Sequence, residues 1–455
     1  MSIQKIADAV KMGRKTAAEV VEQALSACAA DSCNAVTDLL ADRARHRAAE
    51  LDAAGAPWGS LAGVPFVVKN IFDVEGVVTR AGSAATDGDA PAKRDAFAIR
   101  ALEAAGAILV ATTNMDEFAY GFSGENAHDG DTVNPRGVDV AASGLSAGGS
   151  SSGSAALVAS GAVPLALGTD TNGSARVPAA LSGAVGLKPT YGRVSRQGVY
   201  PFAPSLDHVG LFTANVTDAK LAFDALDQFD DADPIAASGA IEKTRAPRYA
   251  RLGGWFEGPL HEDVASAVQD ACAILGAKAE LTFDLAEEAR AASFILTTAE
   301  GGRTHLRRLS RCPERYGALV RHRLTAGAMV PAAWTLQAQR LRRMASDQLA
   351  ELHTSADILI APATPCPAFP LGVADWEVDG VTLPIRLGIG MFTQALTLTG
   401  VPIIVLSRLG AASGLPVGVQ LIAAPHAEAN LFGAALQLEE AGFRVAPITE
   451  VFADV

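Results

Sequence analysis

Apolar positions recur at helical spacing through the first 55 residues. Ile3, Ile6, Val10, Ala17, Val20, Val21 and Leu25 share one face, which predicts helices over residues 1–55, beginning with an amphipathic one. The period then changes. GVPFVVKNIFDV (63–74) is a short β-rich run ending at a lysine. RDAFAIRALEAAGAILVATTNMDEF (94–118) predicts a helix, Gly106 closing it, and a buried strand AILVATT. SSGSAALVASG (151–161) predicts a helix after a glycine-rich loop, and AVPLALGTD (162–170) a buried strand. ADILIAPATP (356–365) and VPIIVLS (401–407) predict two more buried strands. Residues 225–350 read as mainly helical, with QAQRLRRMASDQLAELH (337–353) as a long amphipathic helix. Strands alternating with helices imply an α/β architecture with a parallel or mixed sheet. No Gly/Ser or Pro-rich linker interrupts the chain, so one domain over 1–455 with a helical excursion at about 225–350 is the simplest organisation.

Composition narrows the function classes. The chain has 455 residues, 49% apolar and 19% charged, enough to bury a large core. A net charge of −13 without a basic run argues against nucleic acid or an anionic membrane as partner. No apolar stretch reaches the roughly 18 residues of a membrane helix, and the N-terminus does not read as a signal peptide. The five cysteines are odd in number and scattered, which fits reduced thiols in a cytoplasm. The eight histidines show no ligand spacing, so neither a metal nor another cofactor is expected.

Two hydroxyl-rich loops, GGSSSGS (148–154) and TDTNGS (169–174), flank an apolar segment. Neither has a P-loop ending. G-x-S-x-G occurs at 144–148 and 149–153, but a nucleophile elbow needs a buried strand directly before its serine, and RGVDVAAS (136–143) is polar and broken. Lys69, between FVV and NIF, is costly to bury charged. It is either a desolvated base near neutral pH or the partner of Asp73 or Glu75. TDTNGS is either an ordinary turn or a nest of N–H groups converging on an oxyanion, with Ser174 at its mouth.

These segments together resemble the amidase signature family. The resemblance spans most of the chain: LAGVPFVVKNIFDVEGVVTRAGS (61–83), NMDEFAYGFSGENA (114–127), AGGSSSGSAA (147–156), LGTDTNGSARVPAALSGAVGLKPTYGRVS (167–195), SLDHVGLF (205–212), APATPCPA and LPVGVQLIA. It implies a large mixed twisted β-sheet core covered by helices on both faces. It also implies a Ser–cis-Ser–Lys amidohydrolase: Ser174 as nucleophile, Ser150 as bridging serine after a cis Gly149–Ser150 bond, Lys69 as base, and the N–H groups of Thr171, Asn172, Gly173 and Ser174 as oxyanion hole. Two positions depart from the commonest pattern. Ser152 and Asn172 stand where glycines are usual, and Asn172 narrows the pocket.

Within the family the chain is similar to hydrolases of 1-carboxybiuret-like carboxylated ureas, through TDTNGS, GAMVPAAWTLQAQR (327–340), APATPCPAF and the Phe392-Thr393-Gln394 run. The alternatives are the glutamine-hydrolysing component of a tRNA-dependent amidotransferase and an oxalurate-type amidase. Such glutamine-hydrolysing components carry an aspartate for the substrate amino group where this chain has Gly390. A substrate carboxylate calls for an arginine. Arg323 is the first choice and Arg386 the second, with Tyr120 and Gln394 lining the pocket. The resemblance also implies a small helical partner subunit in an α2β2 assembly.

Overall fold

The computed structural model describes residues 2–455 apart from 56–58, 138–143, 238, 241–243, 245 and 454. Eleven strands form one mixed sheet. In chain order they are β1 (Val36–Leu39), β2 (Pro65–Lys69), β3 (Ile108–Thr113), β4 (Leu165–Asp170), β5 (Val185–Lys188), β6 (His208–Thr213), β7 (Tyr249–Leu252), β8 (Ala279–Leu281) and β9 (Ile358–Pro362). β10 (Asp375–Val378) and β11 (Val381–Pro384) then form a separate hairpin, before β12 (Ile403–Leu409) and β13 (Pro416–Ala423) complete the sheet. The order across it is β1-β3-β2-β4-β6-β5-β12-β13-β9-β7-β8.

β9 shows why the central strands are apolar along their whole length. Alternate side chains leave a strand on opposite faces. Ile358 and Ile360 enter one apolar cluster, Leu359 and Ala361 another. A strand buried on both faces needs a continuous apolar run, and ILIAP is one.

The N-terminal helices are α1 (Ile3–Lys11), α2 (Ala17–Ala29) and α3 (Ala41–Ala54). The periodic residues Ile3, Ile6, Val10, Ala17, Val20, Val21 and Leu25 are all buried. They belong to two helices rather than one: Gly13 turns the chain at φ 66°, and Thr16 caps α2 by accepting from the Glu19 N–H. The all-helical expectation for residues 1–55 is corrected by β1, an edge strand of four residues paired antiparallel with β3. Four residues are too few to display an alternation.

α4 (Phe97–Ala104) leads through Gly106, at φ 97°, into β3 as expected. α5 (Ser152–Ser160) and α6 (Arg176–Ser182) bracket β4, and α7 (Val216–Leu226) follows β6. The stretch 225–350 holds α8 (Glu262–Leu275), α9 (Ala286–Leu309), α10 (Ala318–Ala328) and α11 (Ala332–Ser355). It also contributes β7 and β8 to the sheet edge, so the helical excursion is not wholly helical. α12 (Ile385–Gly388), α13 (Met391–Leu398) and α14 (Glu428–Glu440) complete the chain. Residues 138–143, most of the polar stretch before the first G-x-S-x-G, lie outside the described residues; the second match runs straight into α5. Among the described residues no helix is long and apolar enough to cross a membrane.

Candidate active site

β2 pairs parallel with both β3 and β4, so the C-terminal ends of three neighbouring strands reach one edge of the sheet. Lys69, Thr113 and Asp170 are their last residues. The glycine/serine loop folds over these ends. Its hydroxyls bond to them: Ser151 Oγ to the Thr169 carbonyl at 3.2 Å, Ser154 Oγ to the Leu167 carbonyl at 2.9 Å and to Thr113 Oγ1 at 2.8 Å. Ser152, where the family favours glycine, reaches Thr132 Oγ1 at 3.0 Å. Gly149 packs so close to Asp116 that a Cβ there would lie 2.1 Å from its Oδ1.

Lys69 is fully buried. Its Nζ lies 2.8 Å from Ser150 Oγ and 2.9 Å from Thr169 Oγ1. The Gly149–Ser150 peptide bond is cis. Asp73 and Glu75 are not its partners: Asp73 accepts from Thr79, and Glu75 lies exposed at the surface. Burial pushes the Lys69 amine down to about 7, against the opposing pull of the Asp116, Asp170 and Asp207 carboxylates. The neutral amine is therefore available near pH 7.

The TDTNGS turn is built on Asp170. Its carboxylate accepts from the Gly173 and Ala175 N–H groups and from both Nε and Nη2 of Arg176. Burial alone would raise this carboxyl, but the Arg176 guanidinium outweighs it and holds the group well below the usual carboxylate range. Arg176 also donates to the Thr393 carbonyl and to Thr397 Oγ1, tying the turn to α13. Gly173 sits at φ 134°, and a Cβ there would lie 2.3 Å from Thr393 Oγ1. The expected oxyanion set needs one correction. The Gly173 N–H is committed to Asp170 at 2.8 Å, whereas those of Thr171, Asn172 and Ser174 carry no hydrogen bond among the described residues.

A small pocket opens in front of Ser174. Thr171, Asn172, Tyr120, Phe122, Arg323 and Gln394 line it, with Phe202, Phe294 and Thr297. Among the described residues no carboxylate lines it. Asn172 is spanned by α9: its Nδ2 donates to Thr297 Oγ1 at 2.8 Å and its Oδ1 accepts from Ser293 at 2.6 Å. Arg323, from α10, donates to the Tyr120 carbonyl at 2.9 Å and lies 3.6 Å above the Tyr120 ring. Tyr120 is steadied by Thr298 at 3.1 Å. Arg386 is elsewhere. It pairs with Glu125 at 3.1 Å and lines the adjoining cleft, not the Ser174 pocket.

Sequence reasoning missed the α9 residues. Arg290, Ser293, Phe294, Thr297 and Thr298 form a stripe at helical spacing, and that periodicity was the available signal.

Comparison with known proteins agrees with this geometry. The family model described as Amidase matches residues 19–432. The chain is 42% identical to the AtzE component of 1-carboxybiuret hydrolase of Pseudomonas sp. (strain ADP), over 97% of this chain and 99% of that protein. It is 37% identical to the GatA-type chain of the glutamyl-tRNA(Gln) amidotransferase of Anaeromyxobacter sp. (strain K), over 93% and 92%. A solved structure described as an unexpected vestigial protein complex revealing the evolutionary origins of an s-triazine catabolic enzyme superposes with TM-score 0.94 at 41% identity, covering 99% of this chain and 100% of that one. The chain belongs to the amidase family. It is a hydrolase of C–N bonds.

Proposed function

We propose that Ser174 is the nucleophile of an amidohydrolase whose substrate is a small carboxylated urea of the 1-carboxybiuret type, processed in a single catalytic domain. The contact that carries the mechanism is Lys69 Nζ to Ser150 Oγ at 2.8 Å, between a buried amine and the serine of the overlying loop. Neutral Lys69 takes the Ser150 proton as Ser150 takes that of Ser174. Ser174 Oγ attacks the amide carbon. The N–H groups of Thr171, Asn172 and Ser174 receive the oxyanion. The proton returns through Ser150 to the leaving nitrogen, ammonia departs, and water cleaves the acyl-enzyme.

The substrate reading rests on Arg323 facing the same pocket as Ser174, whose described lining holds no carboxylate; Asp116, Glu117 and Glu125 line the adjoining cleft, which Arg323 also borders. A guanidinium in such a site suits a carboxylate bidentately. An amino acid's ammonium finds no carboxylate among the described residues of that pocket. Gly390 offers no room for one, since a Cβ would come 2.8 Å from the Phe122 ring. The similarity to 1-carboxybiuret hydrolase points the same way. This reading places the enzyme in the cytoplasm, in cyanuric acid breakdown, with a small helical partner subunit in an α2β2 assembly. The exposed apolar residues Leu306, Met329, Trp334 and Leu336 on and between α9 and α11 support such a partner.

The test is ammonia release from 1-carboxybiuret, biuret, oxalurate, allophanate and glutamine, with Ser174→Ala as control. Turnover of the carboxylated ureas, lost in the variant, is the expected result. Turnover of glutamine alone would make the protein an amidotransferase component instead.

A further inference from the structure

At the edge of the Ser174 pocket, the packed helices α13 and α9 are joined by a side-chain hydrogen bond. Arg290 Nε donates to Gln394 Oε1 at 2.9 Å. The guanidinium is held in place by two further contacts. Its Nη2 donates to the Leu387 carbonyl at 2.7 Å, and its face lies 5.7 Å from the Trp255 ring. Trp255 is itself anchored to the start of α13, through the Met391 carbonyl at 3.1 Å.

A guanidinium has donors and no acceptor. It can meet only the oxygen end of an amide. Arg290 therefore sets the sense of Gln394: Oε1 faces the arginine and Nε2 occupies the other arm of the amide. Gln394 lines the pocket, and its Nε2 has no partner among the described residues. The other amide in the pocket, Asn172, is used at both ends by Ser293 and Thr297. Among the other described polar groups of the pocket, the Arg323 guanidinium and the backbone N–H groups of Thr171, Asn172 and Ser174 only donate, and the Ser174, Tyr120 and Thr297 hydroxyls can donate as well.

We propose that Arg290 is a positioning residue that holds Gln394 as a one-way hydrogen-bond donor to a carbonyl or carboxylate oxygen of the substrate. The pocket then selects small amides rich in acceptor oxygens and bearing an anionic end. This rests on the reading that the Ser174 pocket is the substrate site. A different role for Arg290, a cation attracting the anion directly, makes a different prediction.

The experiment is calorimetric titration of oxalurate and of uncharged biuret into the full-length Ser174→Ala protein. Gln394→Met weakens oxalurate binding about tenfold, the scale of one hydrogen bond to a charged group. Arg290→Met weakens it severalfold. The double variant binds no more weakly than Gln394→Met alone, because Arg290 acts only through Gln394. Gln394→Glu weakens oxalurate most, since its carboxylate pairs with Arg290 and shows an oxygen to the anion. Arg290→Lys, another pure donor, retains most of the affinity.

Additive losses in the double variant overturn the proposal, as does unchanged oxalurate affinity in Gln394→Met or no oxalurate binding at all. The two readings fail separately. The expected binding pattern without ammonia release from any carboxylated urea by the unmutated enzyme would remove the substrate assignment and leave the donor role standing. Turnover with additive losses would do the reverse.

Discussion

Asp170 and Arg176 form a two-point ion pair at 3.0 Å on each arm, with both side chains wholly excluded from solvent. The pair joins the end of β4 to the start of α6 across the turn that carries Ser174. Breaking a buried pair by removing one partner leaves an uncompensated charge and costs about 3–5 kcal/mol. Arg176→Met is expected to lose stability on that scale in urea unfolding, and Ser174→Ala almost none. Equal midpoints for Arg176→Met and the unmutated chain would refute this.

Activity should follow the protonation of Lys69. The amine works as a base only when neutral, and its value is about 7. kcat/KM is therefore expected to fall as pH drops through about 7 and to level off above it. The free-enzyme pH–rate profile measures this directly. An acid limb centred near 4 would transfer the role to a carboxylate.

Removing either serine hydroxyl interrupts the proton path to Lys69. Ser150→Ala and Ser174→Ala are each expected to lower kcat by at least about a thousandfold, and the double variant to be little worse than Ser174→Ala, because groups acting as a unit are not additive. Steady-state rates of the three proteins decide the point.

Arg323 stacks 3.6 Å above the Tyr120 ring while facing the pocket. Arg323→Ala is expected to raise KM for a carboxylated urea by about 10- to 100-fold, the worth of a charged hydrogen bond, and to affect uncharged amides little. Arg386→Ala, whose partner is Glu125, should leave KM near its original value.

Gly173 combines φ 134° with contact against Thr393, so no other residue fits without moving the turn. Gly173→Ala is expected to displace the neighbouring N–H donors and cost about a hundredfold in kcat. Retained kcat would show that the oxyanion is held elsewhere.

Much of this was legible in the chain itself. Apolar periodicity marked α1 and α2, the helix–Gly106–strand unit and the buried strands β2, β4, β9 and β12, because each signal is complete within one short window. The apolar run ending at Lys69 and the Gly/Ser loops marked the chemistry, since a lysine after a buried strand and a turn of small residues are unusual locally. The motif positions supplied Ser150 and Ser174.

What tertiary structure decided is what depends on distant partners. β1, β7 and β8 have three or four residues each and exist as strands only by pairing with a sheet edge. The sequence ranked Arg323 ahead of Arg386, but that Arg323 lines the Ser174 pocket and Arg386 only the adjoining cleft was settled by packing, Arg323 lying against Tyr120, 203 residues away. That the Gly173 N–H is spent on Asp170, and that α9 spans Asn172 and orients Gln394, followed only once helices and strands far apart in sequence had packed. A local pattern records which face of an element is buried, and only the packed chain decides what that face meets.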